Sequence, residues 1–158
     1  MLWLKIMDSH TWNIGIINMK TAFISGHLDL TSEEFDEHYL RPIRTAMISG
    51  HKFIVGDANG ADKITMNYLN NVGEADNVTI FHMFISPRNN PFNRLKTKGG
   101  FKTDEERDAA MTDASDYDIA WVRPGREKSG TAKNLMRRSN KTYCGPTCAC
   151  CGNIENVI

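Results

Sequence analysis

His51-Lys52-Phe53-Ile54-Val55-Gly56-Asp57-Ala58-Asn59-Gly60-Ala61-Asp62-Lys63 is the stretch whose reading decides the fold. Phe53 to Val55 is a short apolar run of the β-favouring kind, and Gly56 to Gly60 follows it without a break. Ala61, Asp62, Ile64, Met66, Tyr68 and Leu69 then carry a helical period. A buried strand that passes through a glycine-bearing turn into a helix is how α/β proteins offer backbone N–H groups to an anion. Gly56 and Gly60 suit such a turn, because glycine accepts positive φ and close approach. A tight connection with no ligand fits the stretch equally well, so its neighbours have to decide.

Upstream, Ala22-Phe23-Ile24 reads as a first strand ending in Ser25-Gly26-His27. Thr31 and Glu34 have the spacing of a capping box, and Phe35, Tyr39, Leu40, Ile43, Ala46 and Met47 continue as a helix to Gly50. Pro42 lies inside this period and predicts a kink or a split. Downstream, Val78 to Ile85 is a third strand, followed by a loop from Pro87 to about Gly100. Its length marks it as functional or mobile. Thr103 or Asp104 caps the next helix, Asp118 to Val122 is a fourth strand, and Thr131 to Arg138 is a short helix. Thr142-Tyr143 is expected to close a fifth strand. Strands alternating with helices imply a mostly parallel sheet of about five strands with helices on both faces. Ligands bind such sheets outside the carboxyl ends of the strands, where Ser25 to His27, Gly56 to Asp62 and Arg123 to Thr131 all fall.

With 158 residues the chain is long enough for one domain with its own core. Lys plus Arg and Asp plus Glu number 19 each, so no global field favours nucleic acid or an acidic membrane. The charge is locally uneven: Asp29 to Glu37 is acidic, while Arg123 to Lys141 is basic apart from Glu127. A basic run beside glycine loops is either a solvated face or a place to receive phosphate. No stretch reaches the roughly 20 apolar residues of a membrane span. Residues 1–18 lack the features of a signal peptide and read as an extension, residues 19–143 as the domain, and residues 144–158 as a cysteine-rich tail. Cys144, Cys148, Cys150 and Cys151 fall within eight residues, too crowded for the two separated pairs of a standard zinc site. Reduced thiols without metal are expected, with zinc the alternative if the fold brings His10 or His82 close, and no metal ligand is assigned.

FISGH after the first strand, VGDANGAD after the second, ERDAAM before SDYDIAWV, and SGTAKN opening the last helix together resemble the SLOG superfamily. This is the Rossmann-like nucleotide-binding fold of DNA-processing proteins and the "lonely guy" phosphoribohydrolases. The resemblance covers Lys20 to Tyr143, and a more distant one runs to nucleoside 2-deoxyribosyltransferases. It implies a Rossmann-like three-layer sandwich and a bound nucleotide, nucleoside phosphate or ADP-ribose-like molecule. It also implies a homo-oligomer; a cytoplasmic location is expected from the missing span and signal peptide, and neither a membrane nor a separate cofactor is expected.

On this reading Ser25, Gly26 and His27 line the first loop, and Gly56, Gly60 and Ala61 supply backbone donors. Asp57 or Asp62 accepts from ribose hydroxyls or simply caps its helix. Gly130 and Thr131 form a second phosphate cradle, and Arg107 makes a forked contact to phosphate or pairs with Asp104 or Asp108. One departure stands out. Phosphoribohydrolases of this group read PGGxGTxxE, and here Asn134 stands at the glutamate position after a longer loop. An amide orients a ribose but is neither nucleophile nor base. Binding is therefore favoured over N-glycosidic cleavage or transfer, for which Glu106, Asp108 or Asp116 would have to provide the carboxylate. Single-stranded DNA binding is disfavoured by the neutral charge.

Overall fold

Phe23, Ile54 and Phe81 pack on one side of three neighbouring strands, and Ile24, Val55 and Ile80 pack on the other. Strands buried on both faces belong to a parallel sheet held between helices. The computed structural model describes residues 19–143. The N-terminal extension and the cysteine tail expected from the sequence lie outside the described residues. Strands β1 (Thr21–Ser25), β2 (Lys52–Val55), β3 (Val78–Met83), β4 (Lys96–Phe101) and β5 (Tyr117–Ala120) form one sheet in the order β4-β3-β2-β1-β5. Every neighbouring pair is parallel. Helices α1 (Ser32–His38), α2 (Leu40–Ile48) and α3 (Ala61–Asn71) supply the larger core on one face. Helices α4 (Asp104–Asp113) and α5 (Gly130–Tyr143) cover the other, with Met111 against Phe23 and Arg138 against Asp118. The architecture is an α/β, Rossmann-like three-layer sandwich. Among the described residues no helix is long and apolar enough to cross a membrane.

Local chemistry accounts for most of the boundaries. The Thr31 side chain accepts from the Glu34 N–H while the Glu34 carboxylate accepts from the Thr31 N–H, a complete capping box. The expected break near Pro42 is a split at Tyr39 (φ −114°, ψ −36°), between α1 and α2. Pro42 then lies in the first turn of α2, where its missing N–H has no intrahelical partner to lose. Gly50 (φ 69°) ends α2: its N–H reaches the Met47 carbonyl at 2.9 Å and the His51 N–H reaches that of Ala46 at 3.0 Å.

Two expectations fail. Thr142-Tyr143 is not a strand but the last turn of α5, which starts at Gly130 and runs well beyond Arg138. The fifth strand is β4, inside the segment expected to be a loop as far as Gly100. Its sequence, KTKGGF, has no apolar alternation because β4 is an edge strand with nearly all of its residues exposed. Its ladder to β3 and a few ring contacts hold it in place. Phe101 stacks on Phe81 at 5.7 Å, and the Lys98 ammonium lies 5.0 Å from the same ring.

The strand order turns at β1, which has β2 on one side and β5 on the other. Tyr39 closes this point. Its buried hydroxyl donates to the Ser25 carbonyl at 2.9 Å and accepts from the Trp121 N–H at 3.1 Å, tying together the ends of β1 and β5. Burial pushes this hydroxyl up to about 12, so it stays protonated. Tyr39→Phe keeps the ring and leaves both backbone groups without their partner. We expect it to lower stability by about 2 kcal/mol in urea denaturation; a loss under about 0.5 kcal/mol would mean that neither hydrogen bond matters to the fold.

Candidate functional site

The loops after β1, β2, β3 and β5 meet at the carboxyl edge of the sheet and enclose a cleft of about 470 Å³. Phe23 and Met111 form its apolar floor, and Leu28 stands exposed at its rim.

The first two loops lean on each other through backbone. The His27 carbonyl accepts from the Ala61 N–H at 3.0 Å and from the Leu30 N–H at 3.3 Å. Gly60 (φ 67°) lies against the His27 and Leu28 backbone, so that any Cβ there would strike it. A Cβ on Gly26 would meet the Tyr39 hydroxyl and the Ala61 methyl, and one on Gly56 would meet the Asp62 carboxylate. These glycines serve contacts within the protein. Gly56, Asp57, Gly60 and Ala61, expected to face a ligand, are not on the cleft wall, and the Ala61 N–H is already used by His27.

His27 is buried, and its Nε2 accepts from the Arg123 N–H at 2.8 Å. Burial, and then the nearby Arg123 guanidinium, lower its pKa. Its neutral ring therefore joins the β1 loop to the β5 loop, with Trp121 edge-on at 6.0 Å.

Asp57 is almost wholly buried and is gripped by two arginines. Arg88 gives it a backbone N–H at 2.9 Å and two guanidinium contacts at 3.1 and 2.8 Å, and Arg107 Nη1 adds a fourth at 3.0 Å. Burial alone would raise this carboxyl, but the hydrogen bonds from Arg88 outweigh it and hold the group below the usual carboxylate range. Arg107 also reaches Asp104 at 2.9 Å and Asp108 at 2.9 Å. It lines the cleft, yet its fork is spent on three carboxylates of the protein. Of the two roles open to it from sequence, the ion-paired one is what the geometry contains.

The two uneven charge runs also find each other. Arg123 reaches Glu34 at 2.7 Å and Asp29 at 3.2 Å, and Arg126 lies 3.5 Å from Asp29. The Arg123 hydrogen bond pulls Glu34 down to about 2. Arg138 pairs with Asp118 and Lys141 with Asp113.

Compared with models of protein families, with curated proteins and with solved structures, the chain has no match.

Of the twelve residues singled out from sequence, Ser25, Gly26, His27 and Asp62 come together on one side of the cleft. Arg107, Gly130, Thr131 and Asn134 come in from the helices across it. The Asn134 amide donates to Asp108 at 3.2 Å and its oxygen accepts from Arg137 at 2.7 Å. Arg88, Asp104, Arg126 and Ser129 line the cleft as well and were not singled out. Arg88 follows β3 as His27 follows β1, and that position is the signal the sequence offers; its partner, Asp57, lies 31 residues away.

Removing Arg107 takes one donor from the buried Asp57 and the cation from the partly buried Asp108. Arg107→Ala is expected to lower stability by about 3 kcal/mol, with Arg107→Lys recovering part of it. Urea denaturation of the three proteins checks this, and an unchanged midpoint for the alanine variant would show that Arg88 alone satisfies Asp57.

Proposed function

We propose that the chain binds a nucleotide or nucleotide-derived small molecule, a nucleoside phosphate or an ADP-ribose-like compound. It acts as a sensor, carrier or sequestering protein of the kind its resemblance to the SLOG superfamily implies. The observation that carries this reading is the position of the cleft. It lies outside the carboxyl ends of β1 and β5, where the strand order turns, with the N-terminus of α5 in its wall. Its volume is in the range of small-molecule clefts.

The phosphate end falls at α5. Ser129 caps that helix by accepting from the Ala132 N–H at 3.2 Å. Among the described residues the N–H groups of Gly130 and Thr131 have no acceptor. An anion there gains both donors and the positive end of the helix dipole. Arg126, half exposed and held to Asp29 only at 3.5 Å, stands beside them as the most available cation. Arg88 and Arg107 are committed to carboxylates and leave phosphate to this loop.

A nucleotide probe and one backbone substitution test the reading. Proline suits the first position of a helix and removes one N–H. A Cβ at Gly130 meets no atom within 4 Å. Gly130→Pro should therefore keep its melting temperature and bind ADP-ribose or AMP more weakly by roughly 1 to 2 kcal/mol in calorimetry. Equal affinity for both proteins would remove phosphate from α5, and no binding of either probe to the parent would end the nucleotide reading.

One observation favours a second reading, cleavage or transfer at an N-glycosidic bond. Asn134 stands where phosphoribohydrolases carry a glutamate, and its amide holds the Asp108 carboxylate at 3.2 Å inside the cleft. The other candidates are placed elsewhere. Asp116 accepts from the Thr21 N–H at the opposite end of the sheet, and Glu106 accepts from the Lys102 N–H outside the cleft. If this reading holds, incubation with nucleoside monophosphates releases free base, seen by chromatography and lost in Asp108→Asn. No base from any of them leaves binding as the function.

A further inference from the structure

In the cleft wall, and at Asp57 just behind it, four carboxylates, Asp57, Asp62, Asp104 and Asp108, meet two guanidiniums, Arg88 and Arg107. Arg88 reaches Asp57 and, at 3.6 Å, Asp104; Arg107 reaches Asp57, Asp104 and Asp108. Asp62 makes no ion pair with either. Its Oδ2 accepts a single N–H, from Ala58 at 3.1 Å, and among the described residues its Oδ1 has no hydrogen-bond partner. Asp62 lines the cleft with only 9% of its surface exposed.

The surroundings of Asp62 add little positive charge. Asp57 faces it from its own loop, and Arg107 and Asp108 face it from α4. Tyr39, at the junction of α1 and α2, stays neutral. In the β1 loop, His27 is neutral and Asp29 is bound to Arg123. Arg88, from the β3 loop, is held by Asp57, while Arg126 lies in the β5 loop wall, half exposed. A carboxylate buried without a cation, beside others already paired, is relieved by a proton. Ser25 is an independent sign that this wall awaits a ligand. It lines the cleft, is only 6% exposed, and its buried Oγ has no hydrogen-bond partner.

We propose that on the acid side of neutrality Asp62 is a hydroxyl donor rather than a carboxylate, and that with Ser25 it forms the subsite for an uncharged hydrogen-bond acceptor of the ligand, such as a base carbonyl or ring nitrogen. The assignment of ligand class rests on the nucleotide reading above; the protonation of Asp62 does not. Burial, with Asp108 and Asp57 close by, pushes the Asp62 carboxyl up to about 7, against the opposing pull of the Ala58 N–H and Arg107. The folded protein thus holds this proton more tightly than the unfolded chain. The stability it brings is complete at acid pH and is lost as pH rises through about 7.

Asp62→Asn keeps the shape and a donor but cannot titrate. Comparing the two proteins cancels every other titrating group, His27 included. From pH 6 to pH 8 the parent should lose roughly 3 to 6 °C of melting temperature relative to the variant. Over the same interval calorimetry with ADP-ribose, whose pyrophosphate does not titrate there, should show about a tenfold loss of affinity in the parent and none in the variant. A melting difference that is the same at both pH values overturns the proposal, as does ADP-ribose binding that strengthens with rising pH. If ADP-ribose binds at neither pH, the nucleotide reading fails and the melting comparison still decides the proton. If the variant does not fold, the carbon-13 shift of the Asp62 carboxyl from pH 5 to 9 takes its place. A midpoint near 4 overturns the proposal, and one near 7 upholds it.

Discussion

The carboxylate of Asp57 is the contact on which the site depends. It lies two residues past the end of β2 and is almost wholly buried, so its charge needs partners from the protein. Arg88 meets it with backbone and side chain, Arg107 with one arm of its fork, and Asn89 donates to the Asp57 carbonyl at 2.8 Å. Three segments far apart in the chain, the turn after β2, the loop after β3 and the first turns of α4, are thereby held to one point. A buried charge pair of this kind gains little net stability over apolar packing, but it is strongly disfavoured when broken. It therefore determines position more than it adds strength, and the cleft takes its shape from that.

The same accounting changes what the cations are for. A glycine loop, a basic run and an arginine near a helix start together look like phosphate recognition. In the folded chain Arg107 and Arg88 neutralise carboxylates, and Arg123 neutralises Asp29 and Glu34 of the acidic run. Asp29 and Glu34 of the acidic run thus meet Arg123 and Arg126 of the basic run, about 90 residues away. What remains to meet an anion is backbone, at the start of α5, with Arg126 alongside. What remains on the opposite wall is polar and short of cations, Asp62 and Ser25 above all. On the proposed reading, the cleft thus has one end suited to negative charge and another suited to neutral hydrogen-bonding groups.

Much of the fold was legible because its causes are local. Thr31 and Glu34 cap α1 within four residues of each other, and Gly50 ends α2 through carbonyls in the preceding turn. β1, β2 and β3 announce themselves by continuous apolar runs, since both of their faces are buried. β4 gave no such signal, because an edge strand with exposed residues is held by a backbone ladder that any composition can join. Thr142-Tyr143 misled for the opposite reason: β-favouring residues can finish a helix when the preceding turns already run into them.

By itself, then, the sequence determined the alternation of strands and helices, most caps and breaks, and the edge of the sheet where the loops gather. Periodicity and capping act within a few residues and can be read without a partner. Only the tertiary structure decided what each polar side chain does. Arg107 meets Asp57 from 50 positions away, His27 meets the Arg123 N–H from 96, and Asp62 is left without a cation because its neighbours took them. The role of a charge depends on which others share its low-dielectric surroundings. Folding alone brings those groups together.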